Sequence, residues 1–267
     1  RSPGNNLTHF FAGEIDDIGM WSRALTPGEV QDLYTTPAPG IRIAAKIMLE
    51  GPFQSATTLM NDMLRTSSLV PALEPYTDLG YFHIGSGGLE MALPGVLATV
   101  GVNAITDWVV VELRDPDFNG FRVDTRSALL QRDGDVVEMD GVSPVTFTTT
   151  PGTYFLSIKH RNHLGVMSAA PVVFNAGITS LDFTTVSTPA FGTAARKTIG
   201  SKQVLWAGDA TGNGQMKYTG GANDRDPILV RVGSTTPNNS VPGYYREDVN
   251  MDGVVKYTGS VNDRDPI

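Results

Sequence analysis

Runs in which apolar and polar residues alternate recur through the middle of the chain, and this alternation predicts a series of short β-strands. The predicted strands cover residues 41–49, 105–114, 128–132, 136–137, 145–148, 154–159, 172–174 and 181–183. Turn-forming pairs separate some of them, for example Asp133-Gly134 and Pro151-Gly152. Because Asp-Gly between two apolar runs is a hairpin signal, we expect strands joined by tight turns.

Two stretches do not follow this alternation. Residues 54–80 contain Pro71 and Pro75, and they predict a long loop with at most one helical turn. Residues 10–21 predict a strand, and Thr26-Pro27-Gly28-Glu29 after it provides an N-cap, a proline at the first helical position and a capping box. A short helix is therefore expected there, followed by a linker.

Another short helix is predicted near the C-terminal end. It follows Asp226-Pro227 and presents Ile228, Leu229 and Val232 on one face. Gly233 supplies the C-terminal stop.

Composition excludes several classes of function. The chain has 267 residues, 40% of them apolar, and no cysteine, so disulfides, thiolate metal sites and a cysteine nucleophile are excluded. A net charge of −8 argues against binding nucleic acid, because few cations are present to neutralise phosphates. No apolar run approaches the roughly 18–20 residues of a membrane span. Arg1 and Ile267 look like cuts through a longer protein.

A repeat near the C-terminal end is the stretch that specifies chemistry. Residues 209–228 and 248–267 are offset by 39 positions, and 12 of their 20 aligned residues are identical. Acidic and amide residues alternate at the start of each copy, and a glycine that permits a sharp turn follows them. A loop of this kind can offer several oxygen atoms to one cation, which is what Ca²⁺ requires.

The candidate calcium ligands occupy equivalent places in the two copies. In the first copy they are Asp209, Thr211, Asn213, the carbonyl of Gln215, and Asp224; in the second they are Asp248, Asn250, Asp252, the carbonyl of Val254, and Asp263. The twelfth position, where a helix-loop-helix site has its bidentate acid, holds Gly220 or Gly259. We therefore expect the acids four residues later to close each loop.

These loops resemble dockerin-type calcium repeats that carry a Tyr-Thr-Gly insertion. The resemblance implies a second helix that would lie beyond Ile267. More carboxylates generally bind Ca²⁺ more tightly, so the second loop, with three acids against two, is expected to bind better when intact. The alternative is a metal-free turn rich in Asn, Asp and Gly.

The N-terminal residues resemble the end of a laminin-G-like, concanavalin-type jelly roll. The matching residues are Phe11, Gly13, Ile15, Asp16, Asp17, Ile18, Trp21, Arg23, Ala24, Leu25, Glu29, Val30, Leu33 and Tyr34. The resemblance implies a domain that often binds glycans or mediates adhesion, frequently with calcium. Asp16 and Asp17 are expected to be solvated turn residues.

Roughly residues 41–267 resemble the C-terminal region of large secreted bacterial surface proteins of the adhesin or haemagglutinin-like type. The matching segments are Leu49-Glu50-Gly51-Pro52, 108–114, 129–135 and 158–167. This resemblance implies an extracellular or cell-surface location and a structural or filament-forming role. It implies no defined activity.

Other polar groups are expected to be structural. His160 and His163 follow a strand and are expected to point differently, so a hydrogen-bonded turn is favoured over a metal or catalytic site. Asp115, Asp117 and Asp124 are expected to be solvated loop residues.

The predicted fold is mainly β, in three parts. Residues 1–39 form the end of a jelly-roll sandwich, residues 40–200 an immunoglobulin-like β-sandwich, and residues 201–267 a small calcium-loop module with short helices. No motif brings a base, a nucleophile and an orienting group together, so we expect a non-enzymatic structural or adhesive protein. Its expected partners are other surface proteins, copies of itself or glycans. The alternative is a glycan-binding and docking region of a secreted polysaccharide-degrading enzyme.

Overall fold

The computed structural model describes residues 23–27 and 40–267. The chain divides into two compact units, residues 1–38 and 39–267. The predicted strand at 10–21, the pair Asp16-Asp17 and most of the predicted N-terminal helix lie outside the described residues.

The described part of the second unit is mainly β. Its strands are β1 (Ile41–Lys46), β2 (Phe53–Gln54), β3 (Leu59–Met60), β4 (Ile105–Arg114), β5 (Arg122–Gln131), β6 (Asp135–Val137), β7 (Val145–Phe147), β8 (Gly152–Lys159), β9 (Val166–Met167), β10 (Val172–Phe174), β11 (Ile178–Asp182), β12 (Lys197–Ile199), β13 (Lys202–Val204), β14 (Ser240–Pro242) and β15 (Val254–Lys256). Nine of them form one sheet in the order β10-β8-β4-β5-β6-β1-β11, with β7 beside β1 and β9 beside β8.

Pairing in this sheet is antiparallel except between β1 and β11, which run parallel. The centre is β4, flanked by β5 and β8, and every residue from Ile105 to Leu113 is buried. Both faces of β4 are covered, so the polar residues Thr106, Asp107 and Glu112 are buried along with its apolar ones. The structure extends the predicted strand 128–132 back to Arg122, because pairing with β4 recruits the more polar residues 122–127.

An irregular segment, residues 61–104, separates β3 from β4. It contains one helical turn, α1 (Met63–Thr66), and two 3₁₀ turns at Val96–Ala98 and Gly101–Asn103. Residues 61–80 agree with the long loop predicted over 54–80, whereas Gln54 and Leu59–Met60 lie in β2 and β3. Side chains of the irregular segment anchor it to β4, because the Tyr76 hydroxyl donates to the Trp108 carbonyl at 2.8 Å and the Trp108 indole donates to the Pro71 carbonyl at 2.9 Å.

The C-terminal residues form a small separate core within the same compact unit. The predicted helix is present as α2 (Arg225–Arg231), and β14 pairs with β15 beside it. Its fully buried apolar residues are Ala207, Ala210, Ile228, Val232, Val249 and Val255. Six such residues, two of them alanines, bury too little apolar surface to stabilise a module by themselves. In the part of the chain that the structure describes, no helix has the length and apolar character needed to cross a membrane.

Candidate functional site

The two repeat loops share one pattern of hydrogen bonds, displaced by 39 residues. In the first loop the Asp209 carboxylate accepts the backbone N–H groups of Asn213 and Gly214, at 2.9 and 2.8 Å. In the second, the Asp248 carboxylate accepts those of Asp252 and Gly253, at 3.1 and 2.9 Å. The carboxylates of Asp209 and Asp248 therefore each lie inside the turn formed by the residues that follow them.

The later acids return to the beginning of each loop. Asp224 accepts the N–H groups of Thr211 at 3.0 Å and Lys217 at 2.7 Å. Asp263 accepts those of Asn250 at 3.2 Å and Lys256 at 2.7 Å. The structure thus brings both predicted closing acids into their loops.

The other predicted ligands are less buried. The Thr211 hydroxyl donates to Asp224 at 2.8 Å, whereas Asn213 and Gln215 are exposed. In the second loop, Asn250, Asp252 and Val254 are half-buried, and Val254 lies in β15. The acids Asp248, Asp252 and Asp263 do not all converge within 4.8 Å of one another.

Each loop buries two carboxylates of like charge. The side chains of Asp209, Asp224, Asp248 and Asp263 are all buried, and no lysine or arginine lies within ion-pair distance of any of them among the described residues. Burial raises the pKa of Asp248 to about 6. Burial, with a contribution from Asp248, raises the pKa of Asp263 to about 7. Burial and the charge of Asp224 also raise the pKa of Asp209.

In these loops the carboxylates are held by backbone N–H groups rather than by an ion pair, and the charge of Arg161 lowers the pKa of Asp248 without outweighing burial. The potential ligands are all oxygen atoms, as hard cations such as Ca²⁺ prefer. A divalent cation would compensate the electrostatic cost of burying the paired carboxylates. The donor set therefore fits Ca²⁺, and Asp209 with Asp224, and Asp248 with Asp263, are the residues that would hold it.

The two histidines after β8 lie in a buried chain of hydrogen bonds. The Nδ1 atoms of His160 and His163 are 3.1 Å apart, so the expectation that these side chains point differently is wrong. The turn brings the two rings together. His160 Nε2 lies 3.0 Å from Asp107, and the Gly51 N–H donates to His163 Nε2 at 3.1 Å.

The positions of the histidine protons follow from the two ends of this hydrogen-bond chain, Gly51 and Asp107. Because Gly51 donates to His163 Nε2, the proton of His163 is on Nδ1, facing His160 and Asn162. His160 then carries its proton on Nε2 and donates it to Asp107. Burial lowers the pKa of both histidines. Both rings are neutral, and their nitrogen atoms are occupied by contacts within the protein.

The same turn joins the sheet to the repeats. Arg161 donates to Asp107 at 3.0 Å and to the Tyr245 carbonyl, and Tyr244 donates to the other oxygen of Asp107 at 2.6 Å. The Arg161 guanidinium, opposing the effect of burial, holds the pKa of Asp107 well below its usual range. The 160–163 turn is therefore a charged, hydrogen-bonded connection between two parts of the unit.

One acid is placed differently from its prediction. Asp124 was expected in a solvated loop, but it lies buried on β5. It accepts hydrogen bonds from the backbone N–H of Ser86 at 2.9 Å and the hydroxyl of Thr149 at 2.6 Å. The pairing that extends β5 to Arg122 moves Asp124 into the sheet. Asp115 caps the turn at Asp117, as the sequence indicates.

A second polar cluster has no counterpart in the sequence motifs. The side chains of Glu74, His83 and Glu90 place one ligand atom each within 4.8 Å of one another. Burial raises the pKa of Glu90. Burial also acts to raise the pKa of Glu74, but hydrogen bonds from Thr77 and neighbouring N–H groups outweigh it and lower that pKa. These residues lie in an irregular segment without periodic spacing, so no local signal indicates that they meet.

Comparison with protein families, with curated proteins and with solved structures gave no match to this chain. The likenesses to laminin-G domains, dockerin repeats and surface adhesins therefore depend on the quoted residues alone.

Proposed function

We propose that residues 201–267 form a calcium-stabilised repeat module in a non-enzymatic structural or adhesive protein of the cell surface or extracellular space. The observation that carries this proposal is the burial of two like-charged carboxylates in each loop, repeated in register. Burying carboxylates in this way is costly unless a partner compensates their charge, because the charge is removed from water.

The small C-terminal core supports a stabilising role for the metal. In a module with few buried apolar residues, the free energy of metal binding contributes directly to folding. The chain has no cysteine, so disulfides cannot take this role. Calcium would hold the two loops, α2 and the β14–β15 pair in one arrangement.

The proposal for the whole chain is a β-rich scaffold. We infer an immunoglobulin-like sandwich for residues 40–200 and the end of a jelly roll for residues 1–39. Support for the first comes from the mainly antiparallel strands around the buried β4. A scaffold role is also supported by the histidine pair, because His160 and His163 use their ring nitrogens to join the sheet to the repeats.

Calorimetric titration of calcium tests the metal assignment. The wild-type chain, freed of divalent ions, should bind two Ca²⁺ and show a higher unfolding temperature when saturated. An Asp248→Ala, Asp252→Ala double variant should lose one of the two binding events. Asp117→Asn is a matched control, because Asp117 is an exposed acid outside the repeats.

Equal heats from the wild type and the double variant would contradict the calcium assignment.

The location and role of the protein need a separate measurement on the source cells. Antibodies against residues 201–267 should label intact cells or shed surface material, and electron microscopy should find the protein in that material. Confinement of the label to permeabilised cells would contradict a surface role.

A further inference from the structure

The irregular segment 61–104 converges on β5 at one buried polar point. Glu74 and Glu90 approach from the segment, and their side chains are 0% and 6% exposed. The His83 side chain, 7% exposed, lies between them and Ser127 of β5. A histidine and two carboxylates in this proximity are a metal-ligating set rather than an ordinary apolar core.

One ring nitrogen of His83 is held by Thr125. His83 Nδ1 lies 3.1 Å from the hydroxyl of Thr125. That hydroxyl also accepts the Ile84 N–H at 2.8 Å and lies 3.1 Å from the Ile84 carbonyl. The hydrogen bond at Nδ1 fixes the orientation of the ring and leaves Nε2 as the nitrogen that could bind a metal. A histidine ligand oriented through its other nitrogen in this way is typical of metal sites.

The second ring nitrogen of His83 has no close partner. Nε2 lies 3.7 Å from a carboxylate oxygen of Glu74 and 3.4 Å from the Ser127 hydroxyl. The same hydroxyl is closer to Glu74, at 3.2 Å. Both distances from Nε2 exceed the roughly 2.7–3.2 Å of a well-formed hydrogen bond. Among the described residues, Nε2 therefore lies near Glu74 without a strong hydrogen bond.

Little positive charge surrounds the two carboxylates. Glu90 accepts the N–H groups of Ser127 at 3.1 Å and Gly88 at 2.9 Å. The cation beside Glu90 is Arg126, whose guanidinium lies 3.7 Å away but binds Glu138 at 3.2 Å. Glu74 accepts the N–H of Tyr76 at 2.7 Å and hydrogen bonds from Thr77. Among the described residues, no lysine or arginine lies within ion-pair distance of Glu74, so a divalent ion would offset negative charge that one guanidinium balances only in part.

We propose that Glu74, His83 and Glu90 bind a divalent transition-metal ion, with Zn²⁺ the best match to one imidazole and two carboxylates. The Ser127 hydroxyl lies beside the cluster and offers a further oxygen. Zinc accepts nitrogen and oxygen ligands in a tetrahedral arrangement. Such an ion would attach the segment from Glu74 to Glu90 to β5, in a chain that has no disulfide.

Equilibrium binding of zinc tests the proposal. Zn²⁺ is titrated into the chain in the presence of saturating Ca²⁺, which occupies the repeat loops if they bind it. We expect one Zn²⁺ per chain, and at least a thirtyfold loss of affinity in both His83→Gln and Glu90→Gln. Asp78→Asn is the matched control, since Asp78 is an exposed acid of the same segment, and it should bind as the wild type does.

A spectroscopic probe covers the case in which the variants fold poorly. Co²⁺ bound to the wild-type chain should show the visible absorption of tetrahedral coordination, and Zn²⁺ should displace it. Zinc binding should persist in Asp263→Asn, which separates this site from the calcium loops. Absence of Zn²⁺ binding to the wild type, or unchanged affinity in a folded His83→Gln chain, would overturn the metal proposal and leave these residues as a hydrogen-bonded cluster.

Discussion

The side-chain amide of Asn162 donates a hydrogen bond to the backbone carbonyl of Asp248 at 2.6 Å, linking the end of β8 to the second repeat loop. The same amide also donates to the Arg246 carbonyl at 3.0 Å. The carbonyl of Asn162 accepts the Asp209 N–H at 3.1 Å, at the start of the first loop. One buried residue of the 160–163 turn thus contacts the first acid of both loops.

Replacing Asn162 by alanine should affect the two loops unequally. The variant removes the two side-chain hydrogen bonds to the carbonyls of Arg246 and Asp248, and also the one that Asn162 Oδ1 accepts from His163 Nδ1 at 2.8 Å. It leaves the backbone contact with Asp209, so the loss of loop contacts should fall on the second loop. We expect the free energy of unfolding to fall by about 1–3 kcal/mol, because two buried carbonyls lose their partner. Urea denaturation measures this, and calorimetry should show weaker calcium binding at the second loop alone. Asn103→Ala, at an exposed position, is the control; equal losses at both loops would contradict the expectation.

Gly51 allows the sheet and the second repeat to approach closely. A Cβ at this position would lie 2.4 Å from the Val249 carbonyl oxygen, which is backbone and cannot turn aside. Gly51→Ala should therefore lower the free energy of unfolding by about 1–3 kcal/mol. Gly120→Ala is a matched control, because a Cβ there meets nothing within 4 Å. Equal free energies of unfolding for the two variants in chemical denaturation would show that residue 51 tolerates a side chain against the Val249 carbonyl.

The two carboxylates of the second loop should make calcium binding depend on pH. Burial raises the pKa of Asp248 to about 6 and of Asp263 to about 7, so protons compete with Ca²⁺ as the pH falls through this range. We expect the apparent affinity to be roughly tenfold or more lower at pH 6 than at pH 8. Calorimetry at several pH values measures it. An affinity unchanged between pH 8 and pH 6 would contradict the burial of these acids.

Without calcium the same groups act on stability with the opposite trend. Their folded pKa values lie above the unfolded value, so their contribution to stability is fully present below pH 4 and is lost as the pH rises through about 6 to 7. The calcium-free wild type should therefore gain stability relative to Asp248→Ala, Asp263→Ala as the pH falls from 8 to 5. Thermal unfolding of both chains after removal of divalent ions provides the comparison.

The histidine pair contributes a pH dependence of the other sign. Burial lowers the folded pKa of His160 and His163, so the unfolded chain binds more protons below pH 6.5 and stability is lost as the pH falls. The stability advantage of the wild type over His163→Gln should shrink between pH 7 and pH 5, by up to about 1.4 kcal/mol per pH unit. Chemical denaturation of both chains measures this difference. A stability advantage that stays constant with pH would mean that folding does not oppose protonation of His163.

The second loop should bind calcium more tightly than the first. Asp252 adds a third acid where the first loop has Asn213, and its negative charge acts on both Asp248 and Asp263. More carboxylate charge at a loop generally binds Ca²⁺ more tightly. Asp263→Asn should remove the tighter of the two binding events, and Asp224→Asn the weaker. The two variants are matched controls for each other, because Asp224 and Asp263 are equivalent, equally buried positions. If Asp224→Asn instead lost the tighter of the two calcium-binding events, the first loop would be the stronger calcium site.

Local patterns in the sequence predicted much of the secondary structure. The alternating residues of β4, the single helical turn of α1 and the apolar face of α2 each appear where the sequence indicates them. Strands β12 and β13 were not predicted, because each has a single apolar residue among its three and therefore shows no alternation. The polar start of β5 was also missed, since only pairing with β4 makes it a strand.

The repeat is the part of the candidate site that the sequence determined by itself. Its ligands lie within one short loop, so spacing alone placed Asp224 and Asp263 as the closing acids, and the structure brings them back to the start of each loop. Tertiary structure alone decided the rest. Asp107 meets His160 across 53 residues, and Glu74 meets His83 and Glu90 through an irregular segment folded onto β5. Such contacts depend on strand register and loop path, which local spacing does not encode.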